Sequence, residues 1–348
     1  MSIFRVGITP DFYLEAKGRF EAAVEARLTS VSGLEYGPMS PQPGKVATPE
    51  AMNEFDALFS LGLKITRESL TGVDRLAVVA RWGVGYDMID TQACTDNDVL
   101  LSITRDAVRR PVAEGIVTLL LALTKHVLIK DRLVRAGRWD AKTSYQGTGL
   151  RGRTLGNVGV GNIGGELVRL LRPFDLRRML AYDPYVSSAQ AAEIGVELVD
   201  LDTLMAESDF VSISCPLTKE TFHLIGERQI QQMQPSALLI NTSRGPVIDQ
   251  VALTRALQAR QIAGAALDVF EQEPLAPDDP LTQLDNVILS PHAIAWTNES
   301  SRGNGVGACE NVLTILRGEV PAYTVNREVI DRPGFQAKLR TLRERWQS

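Results

Sequence analysis

The chain is short of cysteine, of histidine and of long apolar runs, and each shortage removes a class of protein. Its three cysteines, Cys94, Cys215 and Cys309, are odd in number and far apart. They make neither a disulfide framework nor a metal cluster, so no metal is expected and the setting reads as reducing and cytoplasmic. No apolar stretch approaches the roughly 20 residues that a membrane span needs. The longest, Ile116 to Ala122, belongs to a helix that should be buried. Neither sign of charge dominates, with 37 Lys and Arg against 42 Asp and Glu. A formal net charge of −5 argues against a nucleic-acid or anionic-membrane surface, and the pairs Arg109-Arg110 and Arg177-Arg178 are local, not a stripe. The N-terminus runs from Met1-Ser2 into a strand pattern, Ile3 to Ile8, without a signal-peptide pattern. No repeat or low-complexity tract is visible. What is there, 348 residues with 44% hydrophobic and 23% charged, is enough for two ordinary domains.

The organising stretch is Asn157-Val158-Gly159-Val160-Gly161-Asn162-Ile163-Gly164-Gly165-Glu166. Thr154 to Val158 before it are small or β-prone, while Leu167, Val168, Leu170 and Leu171 after it recur at helical spacing. Gly159, Gly161 and Gly164 thus stand where a strand turns into a helix. The first supplies the tight turn, the second admits a pyrophosphate and the third allows close helix–sheet packing. The helix N-terminus offers free N–H groups to the phosphates. The next strand, Met179-Leu180-Ala181-Tyr182-Asp183, ends in an acid about twenty residues on, where a ribose acceptor belongs. The competing reading of Asp183 is a turn former before Pro184.

Upstream, Phe12 to Arg27 fits an amphipathic helix and Gly37 to Pro49, with four prolines and two glycines, a loop. Phe55 to Ser60, Leu76 to Ala80 and Val99 to Thr104 fit buried strands, making the first hundred or so residues an α/β unit. Pro111 to Ala136 follows as one long apolar helix entered through Arg109-Arg110-Pro111 and stopped at Gly137. Beyond the glycine loop come Phe210 to Ser214, Ala237 to Asn241, Gly264 to Asp268 and Val287 to Ser290. These short apolar runs suit a parallel sheet covered on both faces, whose ligands gather at the carboxyl ends of the strands. Ser301 to Gly318 is a final long helix, and the charged tail after Ala322 leaves little room for a further domain.

Three strand ends carry chemistry. Arg244 follows one strand in Asn241-Thr242-Ser243-Arg244-Gly245-Pro246, where a guanidinium can grip a planar carboxylate through two parallel hydrogen bonds. Glu271 and Glu273 follow the next, in Asp268-Val269-Phe270-Glu271-Gln272-Glu273-Pro274, and spacing does not choose between them. A buried acid beside an imidazole fixes its tautomer and favours its charged form. Of the three histidines, His126 falls inside the long apolar helix and His223 in a Thr-rich stretch. His292, in Ser290-Pro291-His292, is the one at a sheet end and a natural acid/base near neutral pH. Arginine, carboxylate and histidine beside a dinucleotide loop point to hydride transfer on a carboxylated alcohol or ketone.

These residues, with Gly83-Val84-Gly85-Tyr86-Asp87, Val112-Ala113-Glu114 and Cys215-Pro216-Leu217-Thr218, make the chain resemble the D-isomer-specific 2-hydroxyacid dehydrogenases from Val6 to about Pro321. The resemblance implies two Rossmann/flavodoxin-like, doubly wound parallel-sheet α/β domains. An NAD-binding domain (103–295) would be inserted into a discontinuous substrate domain (1–102 and 296–348). It implies Arg244 as the substrate arginine, Glu273 as the histidine's partner and His292 as the acid/base. The amides of Val84 and Gly85 would hold the substrate carboxylate. Asn162 and Ile163 would lie against the pyrophosphate and Asp183 on the adenosine ribose. Cys215, Pro216 and Thr221 would line the cofactor face, and Thr242 and Asp268 would meet the nicotinamide carboxamide. A homodimer built on the NAD-binding domain is the usual assembly.

Departures accompany the match. Met88 stands where an Asn is common, Asn157 interrupts an apolar strand, and Ala295-Trp296 replaces a glycine after the histidine. Arg105, Arg109 and Arg110 crowd what reads as a shortened loop near the domain cleft, so a polar or sugar-acid substrate is one expectation; helix capping or a dimer contact is the other. Asp183 favours NAD because a carboxylate there repels a 2′-phosphate. An NAD-sensing corepressor-type protein on the same fold is the alternative from outside the enzymes.

Overall fold

The computed structural model describes residues 3–15 and 18–347. The chain forms two compact units, Met1–Val108 with Thr297–Ser348, and Arg109–Trp296. In the first, β1 (Phe4–Ile8), β2 (Leu34–Pro38), β3 (Ala57–Ser60), β4 (Val78–Arg81) and β5 (Leu100–Ser102) form an all-parallel sheet. Its order is β2-β1-β3-β4-β5, the flavodoxin-like arrangement. Because successive side chains point to opposite faces, each strand feeds two cores. Ala57, Phe59, Val78, Ala80 and Leu100 pack with Phe20, Val24, Val312 and Phe335. Their neighbours Leu58, Val79 and Leu101 pack with Met52, Leu70 and Ile89.

One expectation for this unit changes. The helix expected over Phe12–Arg27 is two, Asp11–Glu15 and Arg19–Leu28, with Gly18 at φ 80° capping the second. Residues 16 and 17, like Met1 and Ser2, lie outside the described residues. The tail after Ala322 is part of the core. Val325 N–H donates to Leu101 C=O at 2.8 Å and Leu101 N–H to Asn326 Oδ1 at 2.8 Å, so this segment covers the β5 edge. The helix Pro333–Gln347 then buries Phe335, Leu339 and Leu342. Their i, i+4, i+7 spacing carries the helical signal that the charged residues between them obscure.

The second unit holds β6 (Thr154–Val158), β7 (Arg178–Tyr182), β8 (Glu197–Leu198), β9 (Phe210–Ile213), β10 (Leu238–Asn241), β11 (Gly264–Leu267) and β12 (Val287–Leu289). The parallel sheet runs β12-β11-β10-β9-β6-β7-β8. Strand order reverses between β6 and β9, the switch point at which such sheets bind ligands. Val211, Ile213, Leu239 and Ala265 face one core with Leu204, Ile230 and Leu253. Leu155, Phe210, Ile240 and Ala266 face the other with Ile116, Leu120, Leu167 and Leu171.

The long helix expected over Pro111–Ala136 is also two, Arg105–Thr124 and Val127–Arg135, bent by 57° where they meet. His126, at the break and not inside a helix, has left-handed backbone at φ 53°. The first helix starts six residues earlier than expected, so Arg105, Arg109 and Arg110 are helical and no loop precedes Pro111. Proline lacks the N–H that would reach back to the Ala107 carbonyl, which is why the sequence pattern points to a start there. The division between the units falls within this helix, after Val108. Among the described residues no single helix is long and apolar enough to cross a membrane.

Candidate active site

The glycine loop follows β6 directly. Gly159 has φ 92°, and a Cβ there would lie 2.9 Å from the Cys215 nitrogen, so a side chain is both strained and blocked. A Cβ on Gly164 would collide with the Gly159 carbonyl. Gly161 differs, because a Cβ there would meet nothing within 4 Å. It caps the helix Asn162–Leu171 with no side-chain hydrogen bond, leaving N–H groups at that helix start for an anion. Asp183 sits just past β7. Its Oδ2 accepts the Val160 N–H and its Oδ1 the Tyr185 N–H, each at 3.0 Å. An acidic acceptor is thereby fixed beside the start of that helix, and these residues fit a dinucleotide. Asn157 also finds its explanation: buried in β6, it donates from Nδ2 to the Gly164 carbonyl at 3.1 Å and ties strand to helix. Burial pushes the Cys215 thiol up to about 11, which leaves it a packing residue and not a nucleophile. Thr221 Oγ1 donates to the Pro216 carbonyl at 2.7 Å, and Thr242 lies partly buried just past β10.

The loops after β10, β11 and β12 bring Arg244, Glu273 and His292 together. Asn241, the last residue of β10, donates from Nδ2 to the Arg244 carbonyl at 3.0 Å and accepts the Ser243 N–H at 3.0 Å. It therefore shapes the turn that presents Arg244. Next to it, a Cβ on Gly245 would run into the Phe270 carbonyl group, so only glycine lets this turn pack on the following loop. In that loop Glu273 Oε1 accepts the Phe270 N–H at 3.0 Å, and Oε2 lies 2.8 Å from His292 Nδ1. Partial burial raises the Glu273 carboxyl. The His292 hydrogen bond, the Phe270 N–H and the Arg244 charge outweigh it and hold the group below the usual carboxylate range. His292 has φ 54°, a conformation that costs an ordinary residue energy. Asp268 holds it there: its carbonyl accepts the His292 N–H at 2.8 Å, while Oδ1 accepts those of Ala293 and Ile294 at 3.0 and 3.2 Å. With Nδ1 taken by the carboxylate, Nε2 is the ring nitrogen left for proton transfer.

Glu271 and Glu273 lie against different histidines. Glu271 belongs to a second pair, with Oε1 2.8 Å from His223 Nε2 and 3.0 Å from the Gln250 N–H it accepts. His223 N–H donates to the Pro246 carbonyl at 2.8 Å. His223, Gln250 and Asn241 thus hold the loops in place, roles that the sequence alone does not assign. Arg110 is engaged with Glu114 at 2.5 Å and Glu166 at 3.3 Å. Arg169 first, then Arg110, brings the Glu166 carboxyl down to about 2. The guanidinium of Arg105, in the other unit, lies 6.0 Å from the Tyr323 ring centre. In that unit Val84 and Gly85 stand on the partly buried loop after β4.

The chain matches the family model for the D-isomer specific 2-hydroxyacid dehydrogenase NAD binding domain over residues 117–293. It is 42% identical to a glyoxylate reductase of Korarchaeum cryptofilum over 84% of this chain and 90% of that one. It is 37% identical to a D-3-phosphoglycerate dehydrogenase of Archaeoglobus fulgidus, over 78% of this chain but 51% of the longer relative. The D-lactate dehydrogenase of Aquifex aeolicus, solved with NAD and lactic acid, superposes with a TM-score of 0.78 at 27% identity, covering 92% of this chain and 99% of that one. The chain belongs to the D-isomer-specific 2-hydroxyacid dehydrogenase family. It is an NAD-linked oxidoreductase of 2-hydroxy and 2-oxo acids, and a corepressor-type role is not favoured.

Proposed function

We propose that this enzyme reduces a small 2-oxo acid of the glyoxylate class with NADH. The observation that carries the proposal is the His292–Glu273 pair at 2.8 Å, with the Arg244 charge acting on the same carboxylate. Bound nicotinamide supplies the hydride. His292 gives a proton from Nε2 to the carbonyl oxygen, and Glu273 stabilises the imidazolium before the transfer. Arg244 binds the carboxylate and polarises the carbonyl, and the amides of Val84 and Gly85 take the carboxylate as well. Gly159, Gly161, Asn162, Ile163 and Gly164 hold the pyrophosphate, and Asp183 the ribose. Cys215, Pro216 and Thr221 line the cofactor face. Thr242 and a remaining lone pair of Asp268 receive the carboxamide. In this reading 109–296 binds NAD and the other unit binds substrate.

A small acid is preferred to a sugar acid because Arg110, one of the arginines that motivated the polar substrate, is occupied by Glu114 and Glu166. NADH oxidation against glyoxylate, hydroxypyruvate, pyruvate and a sugar-derived 2-oxo acid tests this. Glyoxylate or hydroxypyruvate should give the highest kcat/KM, and a preference for the sugar acid would overturn the choice. We further read the enzyme as a cytoplasmic homodimer. The helix Val127–Arg135 buries none of its residues, and exposed Val127, Leu128, Val134 and Trp139 give a second copy an apolar strip to cover. A monomer in sedimentation at micromolar concentration would refute that part.

A further inference from the structure

The loop Trp82–Gly85 leads out of β4, and its carbonyl groups are nearly all accounted for. Arg81, the last residue of β4, donates from Nε to the Gly85 carbonyl at 2.7 Å and from Nη1 to the Trp82 carbonyl. The Gly83 carbonyl accepts the Thr104 N–H at 3.0 Å, and the Gly83 N–H donates back to Thr104 Oγ1 at 2.7 Å. Thr104 is itself anchored, its hydroxyl donating to Asn304 Oδ1 at 2.5 Å on the helix Asn298–Leu316. Gly83 has φ 119°, and a Cβ there would lie 3.3 Å from Arg81 Nη1. Arginine and loop are therefore packed as one piece.

Peptide geometry converts these bonds into a binding arrangement. In a planar trans peptide the C=O and the following N–H point in opposite directions. With the Gly83 carbonyl turned to Thr104, the Val84 N–H must point the other way. The Gly85 N–H belongs to the next peptide, bracketed between the Gly83 and Gly85 carbonyls, both of which are pinned. Consecutive backbone N–H groups in such a turn make an anion-binding concavity.

We propose that Arg81 is a positioning residue for substrate recognition: by clasping carbonyls at both ends of the Trp82–Gly85 loop, it keeps the Val84 and Gly85 amides arranged to receive the substrate carboxylate. The inference rests on the function proposed above. Arg81 acts through the loop and not on the substrate. Its planar fork is what the role requires, because a lysine carries the charge but presents one nitrogen and cannot hold two carbonyls in fixed geometry.

The experiment compares Arg81→Lys and Arg81→Met with the wild-type enzyme, using glyoxylate and NADH as substrates and oxamate as a carboxylate probe. Losing hydrogen bonds from a charged donor should raise KM for glyoxylate and Ki for oxamate together by about tenfold or more in both variants. Saturating kcat should fall by less than about threefold, and NADH affinity by fluorescence should stay within about twofold. Recovery by lysine would show that charge, not the fork, matters and would overturn the proposal. KM and Ki near wild type in Arg81→Met would overturn it too. An inactive wild-type enzyme would instead defeat the proposed function. Should the variants not fold, the native enzyme decides by side-chain NMR. The Arg81 Nε–H should be protected from exchange without oxamate and shift little when it is added. Protection appearing only with oxamate would mean direct contact and refute the positioning role.

Discussion

Replacing Glu273 with Gln isolates what the carboxylate charge contributes to proton transfer. Glutamine keeps the side-chain length and an oxygen that can accept from His292 Nδ1–H, so ring orientation and tautomer survive and only the charge is lost. The two groups are 2.8 Å apart, with side chains 46% and 37% exposed. A hydrogen bond between charged groups is worth roughly 1.5–3 kcal/mol when shielded. At this exposure solvent screening reduces it to about 1 kcal/mol. Since a factor of ten in rate corresponds to about 1.4 kcal/mol, the effect should be about fivefold in rate. Its sign is set by the direction of reaction. Reduction needs the protonated imidazole, so the rate is high at low pH and falls on the alkaline side. Glu273, whose own carboxyl is held below its usual range, is ionised throughout that region and favours the protonated ring. Glu273→Gln should therefore move the alkaline limb of kcat/KM for 2-oxo acid reduction to lower pH, with a smaller loss at the acid plateau. A limb that stays in place, or moves to higher pH, would remove Glu273 from this role.

Two further outcomes are expected. Arg244→Lys keeps the charge but loses the two-pronged grip, so kcat/KM for the 2-oxo acid should drop by about a hundredfold or more, with kcat and KM both affected; a change within a few-fold would refute carboxylate binding by Arg244. With its carboxylate fixed by the Val160 and Tyr185 amides, Asp183 should make NADPH a poorer cofactor than NADH by about a hundredfold or more in kcat/KM, a like-charge penalty of several kcal/mol; Asp183→Ser should narrow that ratio, and equal efficiencies in the wild type would refute the assignment.

How much of this was legible in the sequence depended on whether the backbone or the surroundings set each residue. Gly159 and Gly164 were readable because their positions tolerate no side chain, a constraint that leaves its mark on residue identity. His292 was readable from its place at a strand end, although the left-handed backbone that presents it was not. Helix limits were obscured wherever a local signal and a tertiary contact disagreed. Pro111 marked a start six residues late, and a 57° break at His126 carried neither glycine nor proline to announce it. The tail helix was hidden by its charge, since only Phe335, Leu339 and Leu342 reveal its buried face. The departure at Asn157 looked like a defect in an apolar strand until its bond to the Gly164 carbonyl gave it a purpose.

Glu271 and Glu273 show why composition and spacing left two candidates for the partner of His292. Both lie in one loop, two residues apart, and each pairs with a histidine at 2.8 Å. What separates them is the rest of each carboxylate's surroundings. Glu271 also accepts the Gln250 N–H, while its own N–H donates to Gln250 Oε1 at 3.0 Å, so it is bolted to the start of the helix Gln250–Gln258. His223 is committed in turn, through its backbone, to the Pro246 carbonyl. That pair fastens the loop after β9 to the loops after β10 and β11, and it leaves neither partner free to follow a reacting proton. Glu273 has its other oxygen on the Phe270 N–H of its own loop, which orients the carboxylate without binding it to a second element. The first pair builds the platform on which Gly245 and Phe270 are pressed together; the second stands on that platform beside Arg244. Under the proposed function, the rigidity demanded of an acid/base pair is thus supplied by a neighbouring histidine–glutamate pair of the same composition, and the hydrogen-bond partners beyond each pair are what distinguish the two.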